Sequence, residues 1–231
     1  ERAETAAKDA ELRYRLGINN RAQAQTENSG STELDAVNRR FNEQLETLTE
    51  KNAQSVILNL GRPNTVLQSA GIADRPIRLY GNKVMKKIRK HGFKITDIKN
   101  LPSAINNPIA VFNNYGNKEN RAVFTELATS QGNVLVTIEW GKGTDAELNI
   151  VTSVFGKGNS NIIDWINSGY TTYINKEKAL NYLRISALIA EAQDNQELSL
   201  ATNIIKNFEN PTLPSEENIR FREQDTPSDL P

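Results

Sequence analysis

His91 is the sole histidine of the 231-residue chain, and an imidazole with an unperturbed pKa of about 6.5 can both take and give a proton near neutrality. It follows a run of cations. Within residues 62–94, Arg62, Arg75, Arg78, Lys83, Lys86, Lys87, Arg89, Lys90 and Lys94 stand against one acid, Asp74. The whole chain balances 28 Lys plus Arg with 28 Asp plus Glu, so any attraction for a polyanion must be local to this stretch. Two readings account for the cluster: a polyphosphate-binding surface, or a solvated helix face offset by the acidic end of the chain. His91 is equally open, because a helix C-terminus favours an imidazolium that does no more than cap it.

Glu126 is the second candidate. It falls on the same strand face as Ala122 and Phe124, where an acid is out of pattern, so it is either half of an ion pair or a catalytic base. Thr125 alternates to the other face. Thr152 and Ser153 in a later strand are as ambiguous, since β-rich sequences use Thr and Ser as ordinary strand residues. Lys157 and Lys176 follow strands and either enter a shared cleft or remain in water.

Other chemistries fail on spacing or composition. Gly141-Lys142-Gly143-Thr144 has Val136 where a P-loop needs its first glycine, and Gly156-Lys157-Gly158 lacks the third glycine of a dinucleotide fingerprint. Both read as turns. With no cysteine and one histidine, thiolate zinc sites and disulfides are excluded, and no carboxylate cluster has cage-like spacing. The expectation is therefore no metal site and no cofactor. No run reaches the roughly 20 apolar residues of a membrane helix, the N-terminus is not a signal peptide, and a cytoplasmic setting is expected. The first residue is Glu1 rather than Met, which reads as a piece of a larger protein with other domains.

These residues need elements to position them. Residues 1–32 read as a solvated helix with i,i+4 charge pairs followed by a polar linker. Residues 33–53 form an amphipathic helix, capped by Thr32, with Leu34, Val37, Phe41, Leu45 and Leu48 on one stripe. Residues 54–210 form the main domain. It begins with the apolar run Val56-Ile57-Leu58 and a short helix after Pro63. A helix over 80–92 then sets Val84, Met85 and Ile88 on one face and Lys83, Lys87 and Lys90 opposite, within about 60° of each other. The period next changes to two, in strands Ile109–Phe112, Ala122–Leu127, Val134–Trp140 and Leu148–Phe155 separated by short turns, an antiparallel meander. Val134, Val136, Ile138 and Trp140 share one face, so helices are expected on one side of the sheet only. A helix around Ile162–Ile166, an edge strand Tyr170–Ile174, a helix from Lys176 with Leu180, Leu183, Ala187 and Ala190 in register, and a helix Leu200–Phe208 complete it. Residues 211–231 read as a disordered, acidic, proline-containing tail. The fold class is α+β, a four- or five-stranded antiparallel sheet packed against N-terminal and C-terminal helices.

The segments YGNKVMKKIRKHGF, LPSAINNPIAVFNN, AVFTELATSQGNVLVTIE and NIVTSVFGKGNSNIIDWINSGYTTYINKEKALNYL, taken in order, resemble the phage MuF C-terminal domain family over roughly residues 55–185. The matching pieces are Lys90-His91, Pro108–Phe112, Thr125-Glu126-Leu127, Ser153–Gly156, Trp165-Ile166, and Tyr173 with Asn175-Lys176. Phe155 stands where the family often has Tyr, so no tyrosine hydroxyl acts there. Residues 34–45 are similar to linker helices of polyvalent proteins. The resemblance implies a barnase, EndoU, colicin-nuclease and RelE-like fold and a toxin-type ribonuclease of phages and conjugative elements, delivered with their DNA and paired with an immunity protein. It implies metal-independent RNA cleavage with His91, Glu126 and Ser153 as catalytic residues and Lys87, Lys90, Thr125, Lys157 and Lys176 binding substrate. The RNA would lie across the exposed sheet face and the basic 62–94 segment. A non-catalytic nucleic-acid- or host-protein-binding module is the alternative.

Overall fold

The computed structural model describes residues 31–91, 93–114, 117–141, 147–189 and 195–211. Its first helix, α1 (Ser31–Glu46), already contains Ser31 and Thr32. Phe41 and Leu45 on it, and Leu48 just beyond, are fully or almost fully buried. Burial of that order contributes about 2–3 kcal/mol per side chain, so α1 is part of the core rather than a spacer. Its polar positions are used as well. Asn38 and Asn42, one helical turn apart, donate to Asn100 Oδ1 at 2.7 and 2.8 Å. Asn42 Oδ1 accepts from the Asn100 backbone at 2.9 Å.

Strand β1 (Ile57–Asn59), helix α2 (Thr65–Ser69), strand β2 (Ile77–Tyr80) and helix α3 (Gly81–His91) come next. A 3-10 turn (Ile95–Ile98) and helix α4 (Leu101–Asn106) then lead into the meander β3 (Ala110–Asn114), β4 (Asn117–Thr129), β5 (Gly132–Trp140) and β6 (Asn149–Lys157). The chain returns through α5 (Asn159–Asn167), β7 (Thr171–Ile174), α6 (Lys176–Ile189) and α7 (Asn195–Asn207).

The class is α+β with an antiparallel meander, as expected, but the sheet has seven strands in the order β1-β2-β6-β5-β4-β3-β7, not four or five. The additional strands are short: β1 and β2 hold three and four residues. β2 pairs with β6 in parallel, through Ile77↔Asn149 and Arg78↔Ile150, while the other pairings are antiparallel.

Helices cover both faces, which corrects the one-sided expectation. Val111, Val123, Val134 and Val136 point into one core with α1 to α4. Their neighbours Phe112, Ala122, Phe124 and Leu135 point into a second core with α5 to α7. Apolar residues at three successive positions, 134–136, require cover on both sides. Trp140, expected inside, sits at the strand end and is 46% exposed. On α6 the inward side carries Ala179, Tyr182 and Leu183, while Ala187 is exposed and Ala190 lies outside the described residues. The expected N-terminal helix and linker and the acidic tail also lie outside the described residues.

Strand β6 carries an irregularity. Thr137 pairs with Ser153 but Ile138 pairs with Val151, which leaves Thr152 as an extra residue in β6. This β-bulge brings Val151 and Val154 onto the same face, where both join the first core. From Val151 to Lys157 the outer edge of β6 has no strand partner among the described residues.

Candidate nucleic-acid interface

Helix α3 packs against this open edge. Val84 and Met85 anchor it and Ile88 packs beside them. Between α3 and β6 runs a cleft of about 260 Å³. It is lined by Leu79, Phe93 and Ile98, by Lys83, Lys86 and Lys87, and by Thr152 and Ser153, and the Thr152 hydroxyl donates to the Thr137 carbonyl at 3.4 Å. Lys83 and Lys86 also border a second, more open groove of about 530 Å³ with Gln54, Asn82 and Arg89.

The electrostatics of α3 are one-sided. The helix holds no acid in GNKVMKKIRKH, and its first turn lacks one. Lys83 and Lys87 are an i,i+4 pair of like charge, which disfavours a helix, and a cation near the helix N-terminus opposes the macrodipole. Outside the helix, Glu50 faces Arg89 at 3.7 Å with both side chains 65% exposed, a pairing worth little in water. An anion in the cleft would relieve this repulsion.

Other cations of the 62–94 segment are engaged locally. Arg62 pairs with Asp74 at 3.1 Å, and Arg78 donates to Asn59 Oδ1. The cations that line the cleft come from α3.

Each expected site residue has a definite place. Ser153 and Lys87 both line the cleft. Lys157 places its ammonium 5.8 Å from the centre of the Phe155 ring and 5.2 Å from that of Trp165, and Lys87 reaches the Phe155 ring at 5.2 Å. Thr125 is fully buried; its hydroxyl donates to the Val134 carbonyl at 2.9 Å and accepts from the Leu127 amide at 3.3 Å. Glu126 lies against α6, where Lys178 Nζ is 2.6 Å from its carboxylate. Lys176 donates to the Lys206 carbonyl at 3.0 Å, near the end of α7, where a cation is favoured. Lys90 and His91 close α3, and their side chains lie outside the described residues. The fold thus gathers Ser153, Lys87 and Lys157 around the open part of β6, and puts Glu126, Thr125 and Lys176 in structural contacts elsewhere.

Sequence reasoning passed over Lys83 and Lys86 as individual site residues, although their i,i+3 spacing was visible. It also missed Lys178, which no local pattern joins to a residue 52 positions earlier. Among the described residues no group of three or more His, Asp or Glu side chains could hold a metal ion, and no helix is long and apolar enough to cross a membrane.

Residues 82–181 match the family model of the phage MuF C-terminal domain. The resemblance drawn from the sequence is to this family, and the match runs from the second residue of α3 into α6. The folded unit extends beyond it, since α1, β1, β2 and α7 share its two cores. No curated protein and no solved structure matches the chain.

Proposed function

We propose that this MuF C-terminal domain binds RNA, with the strand's phosphates held in the cleft between α3 and the outer edge of β6. The reading rests on one observation: Lys83, Lys86 and Lys87 line that cleft together with Thr152 and Ser153, on a helix that holds no acid. Ammonium groups clustered along a cleft suit a phosphodiester, which presents a full negative charge and several acceptor oxygens. Each lysine neutralising a phosphate of a single strand steepens the salt dependence of binding by about 0.7 in log–log slope. Three contacts predict a slope near −2.

A second reading is metal-independent ribonuclease action of the toxin type. It is favoured by the position of His91, which ends the helix that supplies the cleft's lysines. In this reaction the 2′-hydroxyl loses its proton to a base and attacks the adjacent phosphorus. The bond to the 5′-oxygen breaks, an acid protonates that oxygen, and a cyclic phosphate remains. His91 would be one of the two proton carriers and Lys87 a charge stabiliser. For Glu126 to be the other, it would have to leave Lys178.

The test uses labelled RNA in EDTA with the full chain, with Lys83→Ala/Lys86→Ala/Lys87→Ala and with His91→Ala. RNA binding lost in the lysine variant supports the interface, and cleavage lost in His91→Ala supports the ribonuclease. Binding whose affinity and salt slope are unchanged in the lysine variant refutes the proposed cleft.

A further inference from the structure

Beside the cleft, two cations converge on one aromatic ring. Lys87 comes from α3 and Lys157 from the end of β6, and their ammonium groups lie 5.2 and 5.8 Å from the centre of the Phe155 ring. Phe155 is only partly buried. The register Thr137↔Ser153 and Leu135↔Phe155 sets it on the same face of β6 as Ser153, and Lys87 lines the cleft itself. The ring is held from behind: Phe155 and Trp165 both pack on the second core, and Trp165 meets Phe112 edge-on at 5.4 Å. A fixed aromatic surface with two ammonium groups over it is more than a packing contact. The ring's quadrupole attracts both cations, and a phosphate beside the ring would attract them too.

We infer that Phe155 is a base-stacking platform and that the interface takes single-stranded RNA, one unpaired base displacing the ammonium groups from the ring and its phosphate taken up by Lys87 and Lys157. This rests on the RNA-binding reading above and narrows its substrate class. One argument favours a single strand over a duplex: an unpaired base can offer a free face to an aromatic ring, whereas duplex bases are stacked on one another.

The experiment compares the affinity of the full chain for a short labelled RNA and for the same sequence annealed to its complement, at fixed low salt. The variants are Phe155→Leu, which keeps apolar bulk but no ring, Phe155→Trp, which keeps an aromatic face, and Lys83→Ala/Lys86→Ala. Circular dichroism confirms that each is folded. Stacking by one base predicts that Phe155→Leu weakens single-strand binding roughly 5- to 150-fold, that Phe155→Trp retains it, and that duplex binding is weak and unchanged by either. Single-strand binding insensitive to Phe155→Leu but reduced in the lysine variant overturns the stacking inference while leaving the cleft reading intact. Equal affinity for strand and duplex overturns it too. No binding of either RNA overturns both.

Discussion

If Glu126 serves the fold through Lys178, removing its charge should be felt in stability and not in RNA binding. The pair is short, 2.6 Å, with the Lys178 side chain 18% and that of Glu126 25% exposed. Lys178 also donates to the Asn107 carbonyl at 2.9 Å, so the ammonium ties α6 both to β4 and to the loop after α4. An exposed pair contributes about 0.2–1 kcal/mol, and stranding one partner of a fully buried pair costs about 3–5 kcal/mol. With roughly four-fifths of each side chain covered, and an amide still able to accept one hydrogen bond from Lys178, Glu126→Gln falls between these limits, at about 1.5 kcal/mol. For a chain of this size that lowers Tm by roughly 3–6 °C. Urea unfolding of Glu126→Gln, Lys178→Met and the double variant forms a cycle in which a coupling energy of about 1 kcal/mol is expected. RNA affinity of Glu126→Gln should equal that of the parent chain. Unchanged stability together with lost RNA cleavage would overturn this assignment and make Glu126 a catalytic group.

Phe41→Ala should destabilise the whole domain by about 3–5 kcal/mol, because the ring is fully buried in the first core; denaturant unfolding reads this, and a loss under about 1 kcal/mol would mean that α1 is dispensable. Gly132→Ala should cost about 2 kcal/mol or more, since Gly132 sits at φ +116° and an added Cβ would meet the Lys157 carbonyl; weaker single-strand RNA binding should accompany the loss, as Lys157 moves off its aromatic neighbours. Burial raises the pKa of Tyr173 above the usual tyrosine value. A group whose folded pKa is raised contributes stability that is complete below its unfolded value, near 10, and is lost as pH rises through the folded one. Urea unfolding between neutral pH and about pH 11 should therefore show a steeper alkaline loss for the parent chain than for Tyr173→Phe.

The parts of the fold legible in the sequence were those with a strong local period. Val84, Met85 and Ile88 recur at helical spacing ahead of Gly92, and the meander strands are separated by glycine- and asparagine-rich turns. β2 was not legible, because Ile77–Tyr80 holds four residues, runs directly into α3, and pairs with a strand some 70 positions later. Without β2 the open edge of β6 was hidden too, since that edge exists only because β2 pairs with two residues of the strand. Two-sided burial was visible in Val134-Leu135-Val136 and passed over in favour of alternation. The bulge had a faint signal as well: Val151 and Val154, three apart in a strand, can share a face only if one residue is extra. For the candidate site, residue types singled out α3 and Ser153, which line one cleft, while the out-of-pattern Glu126 announced a need for a partner without saying which. Burial decided the rest. Thr125 is a strand residue whose hydroxyl is spent on its own sheet, and only packing could reveal that.

Amide hydrogen exchange with and without RNA probes the proposed interface directly, because the outer edge of β6 from Val151 to Lys157 has no strand partner among the described residues and its outward amides should exchange readily. RNA held between α3 and β6 should slow exchange along Val151–Lys157 and in α3, and leave α6 and α7 unchanged. Protection confined to the α6–α7 side, or RNA bound with no change at β6 and α3, would contradict it.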